Sequence, residues 1–201
     1  LLVEDRKSGG LAKSLVANPW MSRDMVALLN TLKPGVIERS RTIAISGCAY
    51  ATVLQCRAWL PDPVGGICWF AFDNPAQSAR IPIFAGVTEL PATFEACAQH
   101  RFRTDSAAWA FRRANRLATV RWGEARPLIE AAIKEFEDKA FEDLPYLEKR
   151  ASELYGKGDD PEGIKRAQAF LTKYTNDFAR AAVSKYWELG DELWAMFARG
   201  F

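Results

Sequence analysis

Residues 41–86 constrain the fold more than any other part of the chain, because they contain nearly all of its strand-forming sequence. β-branched and aromatic residues dominate this stretch, and turns rich in Pro and Gly interrupt it. Consecutive strands with short connections favour an antiparallel meander. The sequence after it has the three- and four-residue period of helices. The fold class is therefore predicted to be α+β, with an antiparallel sheet region followed by a helical region.

The strand predictions follow from local composition and from turn residues. Strands are predicted over residues 41–46, 49–60, 67–72 and 80–84. The run 49–60 is apolar on both faces, which predicts a strand covered on both sides. Tight connections are predicted at 61–66 and 73–75. Pro82 places the last strand at an edge or its end, because proline cannot donate to a ladder.

The helix predictions rest on caps, breakers and apolar period. Helices are predicted over residues 23–32, 106–120, 124–155 and 161–199. Ser22 is the predicted N-cap of the first, and Thr104 or Asp105 that of the second. Pro127 lies in the first turn of the third, and Pro145 breaks or kinks it. The last helix carries one continuous apolar stripe, formed by Ile164, Ala167, Leu171, Tyr174, Phe178, Ala182, Tyr186, Leu189, Leu193 and Phe197.

Three regions follow from these elements. Residues 1–40 are a lead-in with a short helix, 41–90 are the sheet region, and 91–201 are a helical region packed on it. The beginning, LLVEDRKSGG, has neither an initiator Met nor the apolar core of a signal peptide. The chain is therefore interpreted as part of a longer polypeptide. Cytoplasmic and exported locations both stay open.

Composition excludes several functional classes. The formal net charge of +2 comes without a basic tract, which argues against a nucleic-acid partner. No apolar run is long enough to cross a bilayer. The chain has one His and no Cys-x-x-Cys pair, which is too little for the usual zinc sites, and no cofactor is implied. The thiols of Cys48, Cys56, Cys68 and Cys97 are predicted to be buried and inert, although a disulfide among them stays open.

Taken alone, the residues give no complete catalytic constellation. His100 has no Ser or Cys partner at a known spacing, so a surface residue or one with satisfied hydrogen bonds is favoured. The carboxylates between Lys134 and Lys149 fall on the solvent side of a helix. The aromatic residues of the sheet region are predicted to be mainly core: Trp59, Trp69, Phe70, Phe72 and Phe84.

Arg41, directly after Ser40, is the charge of most interest. It stands at the head of an apolar segment, where a guanidinium can hold a substrate carboxylate through its planar fork of donors. An ordinary salt bridge to Glu38 or Asp73 is the equal alternative.

Several ordered segments together resemble a known family. They are residues 40–43 (SRTI), 55–57 (QCR), 60–62 (LPD), 64–69 (VGGICW), 72–75 (FDNP), 81–84 (IPIF), 106–111 (SAAWAF) and 186–193 (YWELGDEL). Over about residues 41–201 the chain resembles the C-terminal half of the bacterial cysteine dipeptidases of the dipeptidase A type. These are N-terminal-nucleophile hydrolases. The resemblance implies part of an αββα sandwich with a helical C-terminal extension.

The resemblance also implies an activity. In the family a Cys at the start of the mature chain is the nucleophile, and its own α-amino group is the general base. Here the first residue is Leu1, so the nucleophile would lie on sequence outside this chain, and residues 1–201 alone would be inactive. Ser40 and Arg41 resemble a Ser-Arg pair that orients the substrate or the nucleophile. The implied reaction is hydrolysis of dipeptides or short peptides.

Two alternatives stand beside this hypothesis. One is a non-catalytic binding or structural module on the same scaffold, and the other is an amidase or acylase that acts on another amide. The expected partners are a short peptide substrate and the missing N-terminal segment or chain of the same protein. A homo-oligomer stays open.

Overall fold

The computed structural model describes residues 18–20, 22–38, 43–96, 99–157 and 160–198. The first helix, α1 (Arg23–Leu32), begins after Ser22, whose Oγ accepts from the Met25 backbone N–H at 3.2 Å. Both the helix and its cap confirm the sequence prediction. None of its residues is buried among the described part of the chain.

The sheet has three antiparallel strands in the order of the sequence: β1 (Tyr50–Cys56), β2 (Gly66–Phe72) and β3 (Ile81–Phe84). Tyr50 pairs with Phe72 at one end, and Trp69 pairs with Pro82 on the other side of β2. The antiparallel meander and the edge position of Pro82 are thus confirmed.

Two strand predictions were wrong. Residues 43–46, the described part of the predicted strand 41–46, form bends and a turn. The segment 49–60 yields only β1, and β1 is exposed along most of its length rather than covered on both sides. The reason is that, among the described strands, β2 alone lies beside β1, so the apolar composition of β1 is not matched by burial.

Short helices occupy two of the connections. Helix α2 (Asp62–Gly65) lies inside the predicted tight connection between β1 and β2, and α3 (Ala92–Glu95) lies beyond β3. The Arg57 backbone N–H donates to the Gly65 carbonyl at 3.0 Å, which closes the connection at the end of the ladder.

Three long helices follow: α4 (Ala107–Val120), α5 (Trp122–Tyr155) and α6 (Pro161–Ala198). Pro145 lies inside α5 and does not break it. Gly156, with φ of 69°, ends α5 in the left-handed region that glycine adopts without strain. The buried stripe of α6 is confirmed, since seven of its ten predicted positions are buried and the other three are half-buried.

The predicted cap of α4 was wrong. Its N-cap is Ser106, and the Ser106 hydroxyl donates to the Ala96 carbonyl at 2.9 Å instead of capping the helix. The Asp105 carboxylate is held by the Arg103 guanidinium, with Nε 2.8 Å from Oδ1.

The core lies between one face of the sheet and the long helices. Trp69 packs against Phe141 of α5, with ring centroids 5.1 Å apart, and Phe84 packs against Tyr174 of α6. Phe111 of α4 stacks on Tyr186 of α6 at 3.9 Å. The protein is therefore a mixed α/β structure with a small antiparallel sheet and a helical C-terminal region. The division into regions 1–40, 41–90 and 91–201 stays a prediction.

Candidate functional site

A buried polar cluster lies where β2 ends. Asp73 directly follows the strand, has φ of 54°, and is only 1% exposed. Asp and Asn tolerate this left-handed conformation better than most residues do. The Asn74 side-chain oxygen accepts from the Ala76 backbone N–H at 3.1 Å, which folds the chain into a tight turn before β3.

Three side chains of α4 bind the Asp73 carboxylate. Arg112 Nε lies 3.2 Å from Oδ1, Asn115 Nδ2 lies 3.2 Å from Oδ2, and Arg116 Nη2 lies 3.7 Å from Oδ1. The positions i, i+3 and i+4 put all three on one side of the helix. Asn115 Nδ2 also donates to Ser78 Oγ at 2.9 Å. We call Asp73, Ser78, Arg112, Asn115 and Arg116 the Asp73 cluster.

The cluster carries two guanidinium groups against one carboxylate. Asp73 and Asn115 are buried, while Arg112 and Arg116 are 27% and 43% exposed at their side chains. The buried carboxylate is thereby paired and hydrogen-bonded, as a buried charge requires. One positive charge of the cluster is left uncompensated within it, at the side that faces solvent.

The cluster also fixes the segment that leads into β1. The Arg116 guanidinium donates to the Ser46 carbonyl, and the Asp73 backbone N–H donates to the Ala49 carbonyl at 2.9 Å. Trp20 Nε1 donates to the Ala44 carbonyl at 2.9 Å. Residues 43–49 are therefore tied to the end of β2, to α4 and to the lead-in, although they form no strand.

The two site residues that the sequence predicted, Ser40 and Arg41, lie outside the described residues. Of the two salt-bridge partners proposed for Arg41, Asp73 is already paired with Arg112 and Arg116. The role of Ser40 and Arg41 therefore stays a prediction.

Sequence reasoning missed the Asp73 cluster. It treated Asp73, Asn74 and Pro75 as a turn and considered Asp73 otherwise only as a possible partner of Arg41. The sequence did contain one signal for it. Arg112, Asn115 and Arg116 put polar side chains at i, i+3 and i+4 on a helix whose other buried residues are apolar.

A second concave surface lies between β1 and α5, on the face of the sheet that packs against α5 and α6. It has a volume of about 530 Å³ and is lined by Val53, Gln55, Trp69 and Phe141 and by the ion pair of Arg80 and Glu137. Arg80 Nη1 lies 2.7 Å from Glu137 Oε1. Gln55 Oε1 accepts from Trp69 Nε1 at 2.9 Å. Its lining contains no Cys, Ser or Thr, and its one carboxylate, that of Glu137, is paired with Arg80.

The described cysteines are not arranged for catalysis. Cys48, Cys56 and Cys68 are free thiols, which removes a disulfide among these three, and Cys97 lies outside the described residues. Their predicted burial was wrong, since Cys56 is exposed and the other two are half-buried. Desolvation raises the pKa of the Cys68 thiol, which lowers its thiolate fraction and its reactivity.

The other residues considered from the sequence fall as follows. His100 is exposed, which confirms it as a surface residue. The charge run of α5 is solvated and paired along the helix, as between Lys139 and Asp143 at 2.8 Å. Trp59 was wrongly placed in the core, because it is 78% exposed. Among the described residues no group of His, Cys, Asp or Glu could hold a metal ion, and no described helix is long and apolar enough to span a membrane.

The chain belongs to peptidase family C69, whose family model matches residues 25–135, more than half of the sequence. This confirms the resemblance to the dipeptidase A type. The matched part contains the sheet, the whole Asp73 cluster and the positions of Ser40 and Arg41. A search of curated proteins found no match. The chain is thus part of a peptidase family whose chemistry is hydrolysis of peptides.

Proposed function

We propose that this chain is the C-terminal portion of a cysteine dipeptidase, a hydrolase whose nucleophile is an N-terminal Cys on a preceding segment. The observation that carries the proposal is the family match over residues 25–135. The described cysteines, Cys48, Cys56 and Cys68, are internal to the chain, so none of them carries a free α-amino group that could serve as its own base.

The fold proposed for the complete hydrolase is an αββα sandwich. The packing of Trp69 and Phe84 onto α5 and α6 supports it, because it forms a sheet layer covered by a helix layer on one face. A second sheet would cover the opposite face. The chain described here would thus contribute one helix layer and part of one sheet.

The proposed reaction proceeds through a thioester. The free α-amino group of the N-terminal Cys accepts the thiol proton, and the thiolate attacks the carbonyl carbon of the peptide bond. The protonated α-amino group then gives its proton to the leaving amine as the C–N bond breaks. Water hydrolyses the thioester, which releases the carboxylate product and restores the thiol.

Arg41 is proposed to orient the substrate or the nucleophile, with Ser40 beside it in the substrate site. The Asp73 cluster supports this role, because it holds residues within 43–49, a segment that begins two positions after Arg41 in the sequence. A guanidinium whose supporting chain is fixed loses less freedom when it binds a carboxylate.

The test uses the full polypeptide with its upstream sequence. The mature N-terminus is determined by mass and terminal sequencing, and hydrolysis of a panel of dipeptides is measured. A Cys at the processed start and dipeptide turnover are expected, and replacing that Cys by Ser should abolish turnover. A full polypeptide without such a Cys contradicts the proposal and leaves the binding-module alternative.

The Arg41 assignment has its own test in the same protein. Arg41→Ala is expected to lower kcat/KM about 100-fold, and Arg41→Lys by less, because lysine keeps the charge but not the bidentate fork. Arg126→Ala is the matched control, since Arg126 is half-buried and forms a local ion pair with Glu130 four residues along α5. Equal kcat/KM for Arg41→Ala and Arg126→Ala would remove Arg41 from the site.

A further inference from the structure

The solvent side of the Asp73 cluster presents two guanidinium groups that share one carboxylate. Arg112 Nε and Arg116 Nη2 lie 3.2 Å and 3.7 Å from the same atom, Asp73 Oδ1. Because both groups bind one oxygen atom, they lie side by side on α4. Among the described residues, Asp73 supplies the only carboxylate to either of them. The pair therefore carries one positive charge more than the buried carboxylate neutralises.

The contacts within the cluster use only part of each guanidinium group. Arg112 donates through Nε, and Arg116 donates through Nη2 to the Ser46 carbonyl. Arg112 Nη1 and Nη2, and Arg116 Nε and Nη1, form no hydrogen bond with any described residue. Since both side chains reach the surface, these donors are accessible to a molecule from solvent.

The indole of Trp109 holds the Arg112 guanidinium from a second direction. Arg112 Cζ lies 5.6 Å from the centroid of the Trp109 ring, and Trp109 Nε1 donates to the Arg101 carbonyl at 2.8 Å. A guanidinium held at Nε by a buried carboxylate and over its face by an indole loses little freedom when it binds an anion. The half-buried indole also offers an apolar surface next to the free donors of Arg112.

The charge and shape of the pair define the ligand. One uncompensated positive charge is neutralised by a monoanion, and the planar edge of a guanidinium matches a planar carboxylate. An apolar group attached to that carboxylate could lie against Trp109. The last residue of a short peptide combines the two features, and the chain belongs to a peptidase family.

We propose that Arg112 and Arg116 bind the terminal carboxylate of a short peptide, with the side chain of its last residue against Trp109. This inference rests on the proposed function for the choice of a peptide as the ligand. The site itself rests on the geometry of the two guanidinium groups, Asp73 and the indole.

Calorimetric titration of the full polypeptide tests the site, with the N-terminal Cys replaced by Ser so that the peptide is not consumed. Alanyl-phenylalanine should bind at least about 10-fold more tightly than its C-terminal amide, which lacks the negative charge. Acetate and inorganic phosphate should both bind more weakly than the dipeptide, because neither has a side chain to place on Trp109. An amide or a phosphate that binds as tightly as the dipeptide overturns the proposal.

Substitutions on α4 locate the binding. Arg112→Gln and Arg116→Gln should each weaken binding of the dipeptide about 10- to 100-fold and leave binding of its amide unchanged. Arg113→Gln is the matched control. Arg113 is 24% exposed at its side chain against 27% for Arg112, and it also lies beside an indole, Trp187, but it has Asp191 as a carboxylate partner of its own at 2.6 Å. Equal affinity for the dipeptide in Arg112→Gln and Arg113→Gln overturns the proposal.

A conservative variant keeps the test decisive if a glutamine variant does not fold. Arg116→Lys retains the positive charge near Asp73 but loses the planar fork, so it should fold like the parent in urea unfolding and weaken binding of the dipeptide about 5-fold. Unchanged affinity in folded Arg116→Lys overturns the assignment of Arg116. Affinity that is lost in Arg41→Ala but kept in Arg112→Gln and Arg116→Gln overturns the whole site.

The outcome is separable from that of the proposed function, because binding requires no turnover. Dipeptide hydrolysis is measured on the unaltered protein. Carboxylate-dependent binding that Arg112→Gln weakens, without hydrolysis by the unaltered protein, keeps the site and removes the dipeptidase. Hydrolysis with an affinity that neither Arg112→Gln nor Arg116→Gln changes keeps the dipeptidase and removes the site.

Discussion

Tyr186→Phe should destabilise the protein strongly although it removes a single oxygen atom. The Tyr186 hydroxyl accepts from the Ala79 backbone N–H at 2.7 Å and donates to the Gln77 carbonyl at 2.9 Å. Tyr186, Gln77 and Ala79 are all 0% exposed, so water cannot replace the lost partner. The ring still stacks on Phe111, so the packing of the aromatic pair is retained.

The magnitude follows from the two backbone groups left unpaired. A buried donor or acceptor without a partner costs about 1–3 kcal/mol, so the two groups together give about 2–6 kcal/mol of lost unfolding free energy. Urea unfolding of the chain, with Tyr174→Phe and Tyr146→Phe as controls, measures it.

The two controls separate the hydroxyl effect from burial. The Tyr174 hydroxyl bonds to Asp143 Oδ2 at 3.0 Å at a half-buried position, so its loss should cost about 0.5–1.5 kcal/mol. Tyr146 is 64% exposed, and its variant should stay within about 0.5 kcal/mol of the parent. If Tyr186→Phe costs no more than Tyr146→Phe, the bridging role of the hydroxyl is refuted.

Three further predictions concern pH, charge and backbone. Burial raises the pKa of Tyr186 and of Tyr174 above the ordinary value of about 10, so the stability that each neutral phenol contributes is complete below about pH 10 and is lost as pH rises further. The free energy of unfolding should therefore fall above pH 10, and it should fall less steeply in Tyr186→Phe. Asp73→Asn should lower the free energy of unfolding by about 1–2 kcal/mol and Asp73→Ala by about 2–4 kcal/mol, because Asn tolerates φ of 54° and keeps an acceptor. The reverse ranking of the two variants in urea unfolding would contradict this. Gly65→Ala should lower the free energy of unfolding, measured by thermal unfolding, by about 2 kcal/mol or more, because the new Cβ would lie 2.6 Å from a backbone oxygen. Gly47→Ala is the control and should be near neutral, because no described atom lies within 4 Å of the position of its Cβ.

Local rules predicted the elements well where the signal was local. Ser22 caps α1 as predicted, and α5 ends at Tyr155 and α6 begins at Pro161, which are the predicted bounds. The buried apolar stripe of α6 could be predicted because apolar residues recur at three- and four-residue steps over many turns of the helix. These features depend on residues within a few positions of one another.

Local rules failed where the outcome depended on a distant neighbour. Composition predicted that β1 and Trp59 lie in the core. In the part of the chain that the structure describes, however, β1 has a neighbouring strand on one side only, and Trp59 lies in the connection after β1. Ser106 rather than Asp105 occupies the N-cap position of α4, and Arg103 engages the Asp105 carboxylate. In each case the competing contact could not be read from the segment itself.

The candidate site divides in the same way. By itself the sequence determined the family, the order of sheet and helices, and the absence of any recognisable nucleophile motif, because each depends on residue types and on their order along the chain. Only the tertiary structure brought Asp73 to the side of α4 that carries Arg112 and Arg116. Such pairings are set by the packing of elements distant in sequence, since a carboxylate buried at the end of one strand is stable only where a helix supplies its guanidinium partners.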